Sequence, residues 1–170
     1  ERPLIYAGGG VINGNATKAL RRFADHHGLP VTTTLMALGA SDTTHPLSLH
    51  MLGMHGMASA NYAVQDCDLL LVVGARFDDR VTSKLSSFAP KARVVHLDID
   101  PAEVGKLRQP DVSVLGSLHD SLRALTGPAY GASYWSAQCG DKTFAASYTL
   151  MRDWAQCRDY CTYFPHAAEL

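Results

Sequence analysis

Hydrophobic and polar positions alternate along the chain with two periods, one suited to strands and one to helices. Short β-branched and aliphatic runs at 3–7, 29–34, 68–74, 93–97 and 112–115 read as strands, with Pro30 tolerated at the entrance of the second. Between them, apolar residues recur at helical spacing. Over 17–26, Ala16, Leu20, Phe23 and Ala24 share one face, and Gly28 supplies the stop. Residues 58–65 read as a short helix and 117–125 as a closing amphipathic one. The run Leu69-Leu70-Leu71-Val72-Val73 is apolar at every position, which predicts a central strand covered by helices on both faces. Such strands belong in parallel sheets. The expected fold is α/β: a doubly wound, Rossmann-like parallel sheet of five or six strands. The alternation stops at Thr126, where Gly127-Pro128 and a mixture of Ser, Tyr and Cys begin. Residues 1–126 are expected to form one domain and 127–170 a poorly packed connector, with a candidate short helix over 148–160.

Composition narrows the class of function. Among 170 residues, 15 Lys and Arg face 16 Asp and Glu, a formal net charge of −1, which excludes a charge-driven nucleic-acid or membrane-surface binder. The longest apolar run is far short of the roughly 20 residues needed to cross a bilayer. The chain enters its first strand without a basic leader, an apolar signal core or a starting Met, and so reads as an excised segment. Cys67, Cys139, Cys157 and Cys161, without a secretory signal, fit free thiols in a reducing cytoplasm.

Four constellations carry candidate chemistry. Gly8-Gly9-Gly10 follows the first strand, where a turn without side chains and the next helix's N-terminus can approach a phosphate; tight packing is the competing use. The spacing is not that of an NAD site, because Asn13 stands where a third glycine is needed and no acid ends the second strand. Asp98 and Asp100 follow the fourth strand, where a metal-binding pair is the competing reading. Asp98 is the better candidate for a ribose or adenine contact, and Asp100 reads as the cap of a helix begun by Pro101-Ala102-Glu103. Arg76-Phe77-Asp78-Asp79-Arg80 leaves the central strand with two cations and two acids to pair with them, suited to a phosphate or carboxylate or else to surface ion pairs. Met51, Met54 and Met57, with Gly53, His55 and Gly56, form a loop able to face a flat aromatic ligand or simply to fill core.

No metal site is expected. His26 and His27 are helix neighbours that cannot face one ligand, and Cys157, Cys161 and His166 lack a fourth partner. No nucleophile and base pair stands out.

Taken in order, Tyr6 to Gly10, Gly28 to Met36, His45 to Gly56, Ala60 to Val64, Gly74 to Thr82 and His96 to Glu103 resemble the central domain of the acetolactate synthase family, also called acetohydroxyacid synthase. The likeness covers about 1–126; Leu-Gly-Met-His-Gly together with Gly-Ala-Arg-Phe-Asp-Asp-Arg is its most specific part. The resemblance implies an FAD-binding middle domain between two domains that bind thiamine diphosphate and Mg2+. It implies that Gly9 approaches the FAD diphosphate, that Thr34, Leu35, Leu52, Gly53, Met54 and His55 flank the flavin, and that Gly74, Ala75, Arg76, Phe77 and Asp78 contact the cofactor. Asp98 and Ile99 would hold the adenosine end, where Ser117 replaces an acid usual in the family. Asp79 and Arg80 would line a substrate and inhibitor channel.

The reaction implied is condensation of pyruvate with pyruvate or 2-ketobutyrate in branched-chain amino-acid synthesis, with no net redox change of FAD. The family's catalytic Glu and its Gly-Asp-Gly metal motif find no match here, so no catalytic residue is assigned and the segment alone is expected to be inactive. Its expected partners are FAD, the remaining domains of the same subunit, further copies in a homo-oligomer and, optionally, a regulatory subunit, in the cytoplasm or in a plant or fungal organelle. Two other readings remain: a self-standing nucleotide-binding module, and the middle domain of a pyruvate-oxidase-like flavoenzyme.

Overall fold

Successive strand residues point to opposite faces of a sheet, and the five residues of the first strand are all buried, so both of its faces must be covered. The computed structural model describes residues 2–127. Strands β1 (Pro3–Ala7), β2 (Val31–Thr33), β3 (Ser48–Met51), β4 (Leu69–Val73), β5 (Arg93–Asp98) and β6 (Val112–Leu115) form one sheet in the order β3-β2-β1-β4-β5-β6. Every pairing is parallel. Helices α1 (Gly10–Asn13), α2 (Thr17–His27), α3 (Ala58–Asp66), α4 (Asp79–Thr82) and α5 (Leu118–Thr126) connect or close the strands.

Parity divides the core in two. Ile5 and Ala7 of β1 join Leu71, Val73, Val95 and Leu97 under Leu20 and Phe23 of α2 and Leu118 and Leu122 of α5. Leu4 and Tyr6 join Leu70, Val72 and Val94 on the other face, under Ala60, Ala63 and Val64 of α3. Phe77 and Phe88 complete that second layer. This is the doubly wound parallel sheet that the alternating pattern predicts.

Three local expectations are corrected. The segment 48–51 is a sixth, edge strand: its register on β2 shifts between Val31↔Ser48 and Thr33↔Met51, and His50 adopts φ +59°, so the bulge removes the alternation that would mark a strand. Pro101-Ala102-Glu103 starts no helix, because the Asp98 and Asp100 carboxylates accept from the amides of Asp100 and Ala102 and close two consecutive turns instead. The glycine turn opens only the four-residue α1 before the chain breaks and α2 begins, so no long helix points its N-terminus at the turn. The connector and its helix over 148–160 lie outside the described residues.

Candidate functional site

The strand order reverses between β1 and β4, and a doubly wound sheet leaves a crevice at the carboxyl ends of the two strands flanking that point. Ala7 pairs with Val73, so the glycine turns that follow, at Gly8 and at Gly74, leave the sheet at one level. They touch directly. Gly8 N–H donates to the Val73 carbonyl at 2.9 Å, Gly10 N–H to the Gly74 carbonyl at 3.0 Å, and Gly74 N–H to the Leu97 carbonyl at 2.8 Å. A Cβ on Gly8 would lie 2.2 Å from the Gly74 oxygen, and Gly74 itself sits at φ +58° with Gly10 Cα 2.9 Å from where its Cβ would be. Only glycine permits this contact.

Above the junction opens a cleft of about 490 Å³, within the range of roughly 300–1,000 Å³ common for small-molecule sites. Of the residues carried over from the family, Gly9, Thr34, Leu35, Gly74, Ala75 and Arg76 line it, as do Asp78, Arg80 and Asp98. The amides of Gly8 and Gly10 are spent on β4, whereas that of Gly9 has no partner among the described residues, and neither have those of Ala75 and Arg76. Two side-chain hydroxyls in the lining, Tyr6 Oη and Thr34 Oγ1, are buried without a hydrogen-bond partner. Unpaired donors and a cradle too tight for a Cβ mark a place where a polar ligand's atoms approach backbone.

Charges of both signs line the cleft. Arg76 and Arg80 each stand 3.9 Å from an acid, Asp78 and Asp79 respectively, and are well exposed, so these ion pairs compete poorly with a bound anion. Asp78 caps α4: its Oδ1 accepts from Arg80 N–H at 3.0 Å, which together with the nearby Arg76 and Arg80 charges holds the carboxyl below its usual range. Asp98, Asp100 and Glu103 supply further negative charge to the lining. Asp98 is nearly buried, with one oxygen fixed by Asp100 N–H and the other 3.8 Å from His96 Nε2. His96 Nε2 lies 3.1 Å from the Ala75 carbonyl, which can only accept, so the ring carries its proton there; burial depresses the imidazole below its ordinary value. Through this bond β5 holds the start of the 75–80 loop.

The remaining predicted residues lie elsewhere. Phe77 turns its ring into the core, edge-on to Tyr6, Phe88 and His96, so only its backbone belongs to the loop. Leu52 is buried in the same layer. Gly53 is clamped between Asn61, which bonds both its N–H and its carbonyl, and the Arg80 backbone, whose oxygen lies 2.8 Å from where a Cβ would stand. Met54 N–H donates to that same Arg80 carbonyl at 3.1 Å. The Leu-Gly-Met-His loop therefore supports Arg80 from behind, with the Met54 and His55 side chains exposed outside the cleft. Asp79 and Ile99 are exposed too, and Ile99 is 70% accessible. Ser117 serves as the N-cap of α5.

Tyr6, Met36, Val81 and Glu103 line the cleft without having been assigned to a site from sequence, and Asn13, noted only as standing in place of a third glycine, lines it too. Tyr6 carried a signal, as the one residue with a polar end in an aliphatic strand beside a glycine turn; the others carried none. No group of three or more His, Cys, Asp or Glu residues among the described residues is arranged to hold a metal, and no described helix is long and apolar enough to cross a membrane.

Residues 1–125 match the family described as "Thiamine pyrophosphate enzyme, central domain". Over 122 residues the chain is 62% identical to the acetolactate synthase large subunit of Parasynechococcus marenigrum, covering 72% of this chain and 20% of that protein. It is 55% identical over 128 residues to the acetolactate synthase isozyme 2 large subunit of Escherichia coli, covering 75% and 23%, and 51% identical over 133 residues to chloroplastic acetolactate synthase 1 of Zea mays, covering 78% and 20%. The chain thus spans about a fifth to a quarter of these relatives. With its parallel sheet, its switch-point cleft and a match running from 1 to 125, the chain belongs to the family of thiamine pyrophosphate enzyme central domains.

Proposed function

We propose that this chain is the FAD-binding central domain of an acetolactate synthase large subunit, with the cofactor's diphosphate laid over the Gly8 to Gly10 and Gly74 turns. The observation that carries the reading is the glycine junction at the switch point, with the unpartnered Gly9 amide and two unpartnered hydroxyls all on residues that line one cleft. The residues fit a dinucleotide. Backbone donors and the guanidinium of Arg76 meet the diphosphate, while Asp98, held rigid by the Asp100 amide, offers a free carboxylate oxygen to hydroxyl or amino groups at the adenosine end. Leu35 and Met36 supply apolar cover at the cleft mouth.

In this reading FAD supplies a bound flavin that undergoes no net redox change, and the carbon–carbon bond chemistry belongs to thiamine diphosphate and Mg2+ held by other parts of the subunit. What these residues do is bind and orient. The Leu-Gly-Met-His loop, pinned to Asn61 and to the Arg80 backbone, fixes where Arg80 stands relative to the cleft. Homo-oligomer partners, a regulatory subunit and a cytoplasmic or plastid location belong to the same reading.

Titrating the chain with FAD, followed by flavin fluorescence, tests the assignment. Saturable binding of FAD in preference to NAD is expected, and it should be weak, because the family resemblance places additional flavin contacts in neighbouring domains. Preference for NAD would overturn the assignment.

A further inference from the structure

Tyr6 is fully buried, yet its hydroxyl has no hydrogen-bond partner. Its position leaves little freedom. On β1 it pairs with Thr32 of β2 and Val72 of β4, and Val72 pairs in turn with His96 of β5, so the four residues form one rung with side chains on the same face. Its ring stands edge-on to Phe77 and to Phe88, each with centroids 6.0 Å away. Phenylalanine would fill this aromatic cluster equally well and leave no polar atom unsatisfied. Tyr6 is nevertheless among the residues that line the cleft, as is Thr34, whose own hydroxyl is unpartnered, and its phenol is within electrostatic reach of Arg76 and Asp78, which line the cleft too.

We propose that the Tyr6 hydroxyl is a binding group of the cleft, donating a hydrogen bond to an acceptor oxygen of the dinucleotide held there. This rests on the FAD reading above and adds to it a contact that the family resemblance does not assign. The donor role follows from protonation: burial and the neighbouring Asp78 carboxylate push the phenol well above its ordinary value, so it stays an O–H at any working pH. A neutral donor held in a packed aromatic cluster complements the exposed cations Arg76 and Arg80, because it selects for an oxygen at one place rather than for negative charge in general.

The test is Tyr6→Phe in the 170-residue chain, read by FAD titration and, without FAD, by thermal unfolding. The FAD dissociation constant is expected to rise roughly tenfold, as for loss of one buried hydrogen bond. The unfolding midpoint without FAD should equal or exceed that of the wild type, since a buried unpaired hydroxyl has been removed. Unchanged FAD affinity would overturn the proposal and leave the FAD reading standing. A lowered midpoint without FAD would also overturn it, by showing that the hydroxyl serves the fold. Failure of the wild-type chain to bind FAD would overturn the proposal, while preference for NAD would overturn the reading beneath it, and both outcomes are visible before any variant is made.

Discussion

Gly8→Ala is expected to destabilise the chain by about 3 kcal/mol, as overpacking against rigid backbone does. The new Cβ would stand 2.2 Å from the Gly74 carbonyl oxygen and 2.4 Å from Ala75 Cα, and neither can move without breaking the bond from Gly8 N–H to Val73 or pushing apart the two central strands. The thermal midpoint should fall by roughly 10 °C. Gly9→Ala should separate stability from binding. Its Cβ would meet Met36 alone, 3.0 Å from the Cβ and 3.6 Å from the carbonyl oxygen of that exposed residue, so a shift of a few tenths of an ångström should let the fold survive nearly intact while the cleft loses its open backbone and binds FAD more weakly. Thermal unfolding and FAD titration on both variants check the contrast. Equal stability losses in the two would contradict the geometry described for the junction.

The second large effect concerns the two arginines that leave β4, and it is measured in a complete large subunit carrying this domain. Both guanidinium groups are exposed and weakly paired, four residues apart in sequence. Their supports differ. Arg76 follows the glycine junction next to Ala75, whose carbonyl is tied to His96, whereas Arg80 sits in α4 with its carbonyl receiving the Met54 amide of the neighbouring loop. Replacing Arg76 with Ala is expected to release flavin. Arg80→Ala should retain flavin and lose catalytic efficiency with the anionic keto acid by roughly tenfold to hundredfold, as for one charge-assisted contact of about 1.5–3 kcal/mol. Flavin content and steady-state kinetics on the same preparation decide it. An Arg80→Ala enzyme that loses its FAD, or that turns over pyruvate normally, would contradict the division of roles.

Where local pattern and tertiary context agree, the elements follow from the residues alone. The unbroken apolar run at Leu69 to Val73 is β4, buried at all five positions, and the Leu20 and Phe23 stripe is the inner face of α2. Context overrides pattern at the edges. β2 begins at Val31 rather than Leu29, and β3 is hidden by its bulge at His50. α4 is too short to show a period and depends on the Asp78 cap.

The cleft is legible in the same partial way. Each loop that builds it stands out by its glycines or its charges, yet nothing in Gly8-Gly9-Gly10 taken alone tells a phosphate cradle from a tight turn. That distinction comes from Gly74 arriving against Gly8 and Gly10, and from which amides the meeting leaves unspent. Phe77 shows the converse. It lies in the middle of the most distinctive motif, and its side chain goes to the core because Tyr6, Phe88 and His96 leave an aromatic-sized place there.

Amide hydrogen exchange of the chain, with and without FAD, reports where the cofactor sits. Slowed exchange is expected at Gly9, at Ala75 and Arg76, and in the turn after Asp98, with α2 unchanged over its exposed Lys18 to His26 face. Bound FAD that leaves the amides of both glycine turns exchanging as before, or that protects the α2 face instead, would contradict that placement.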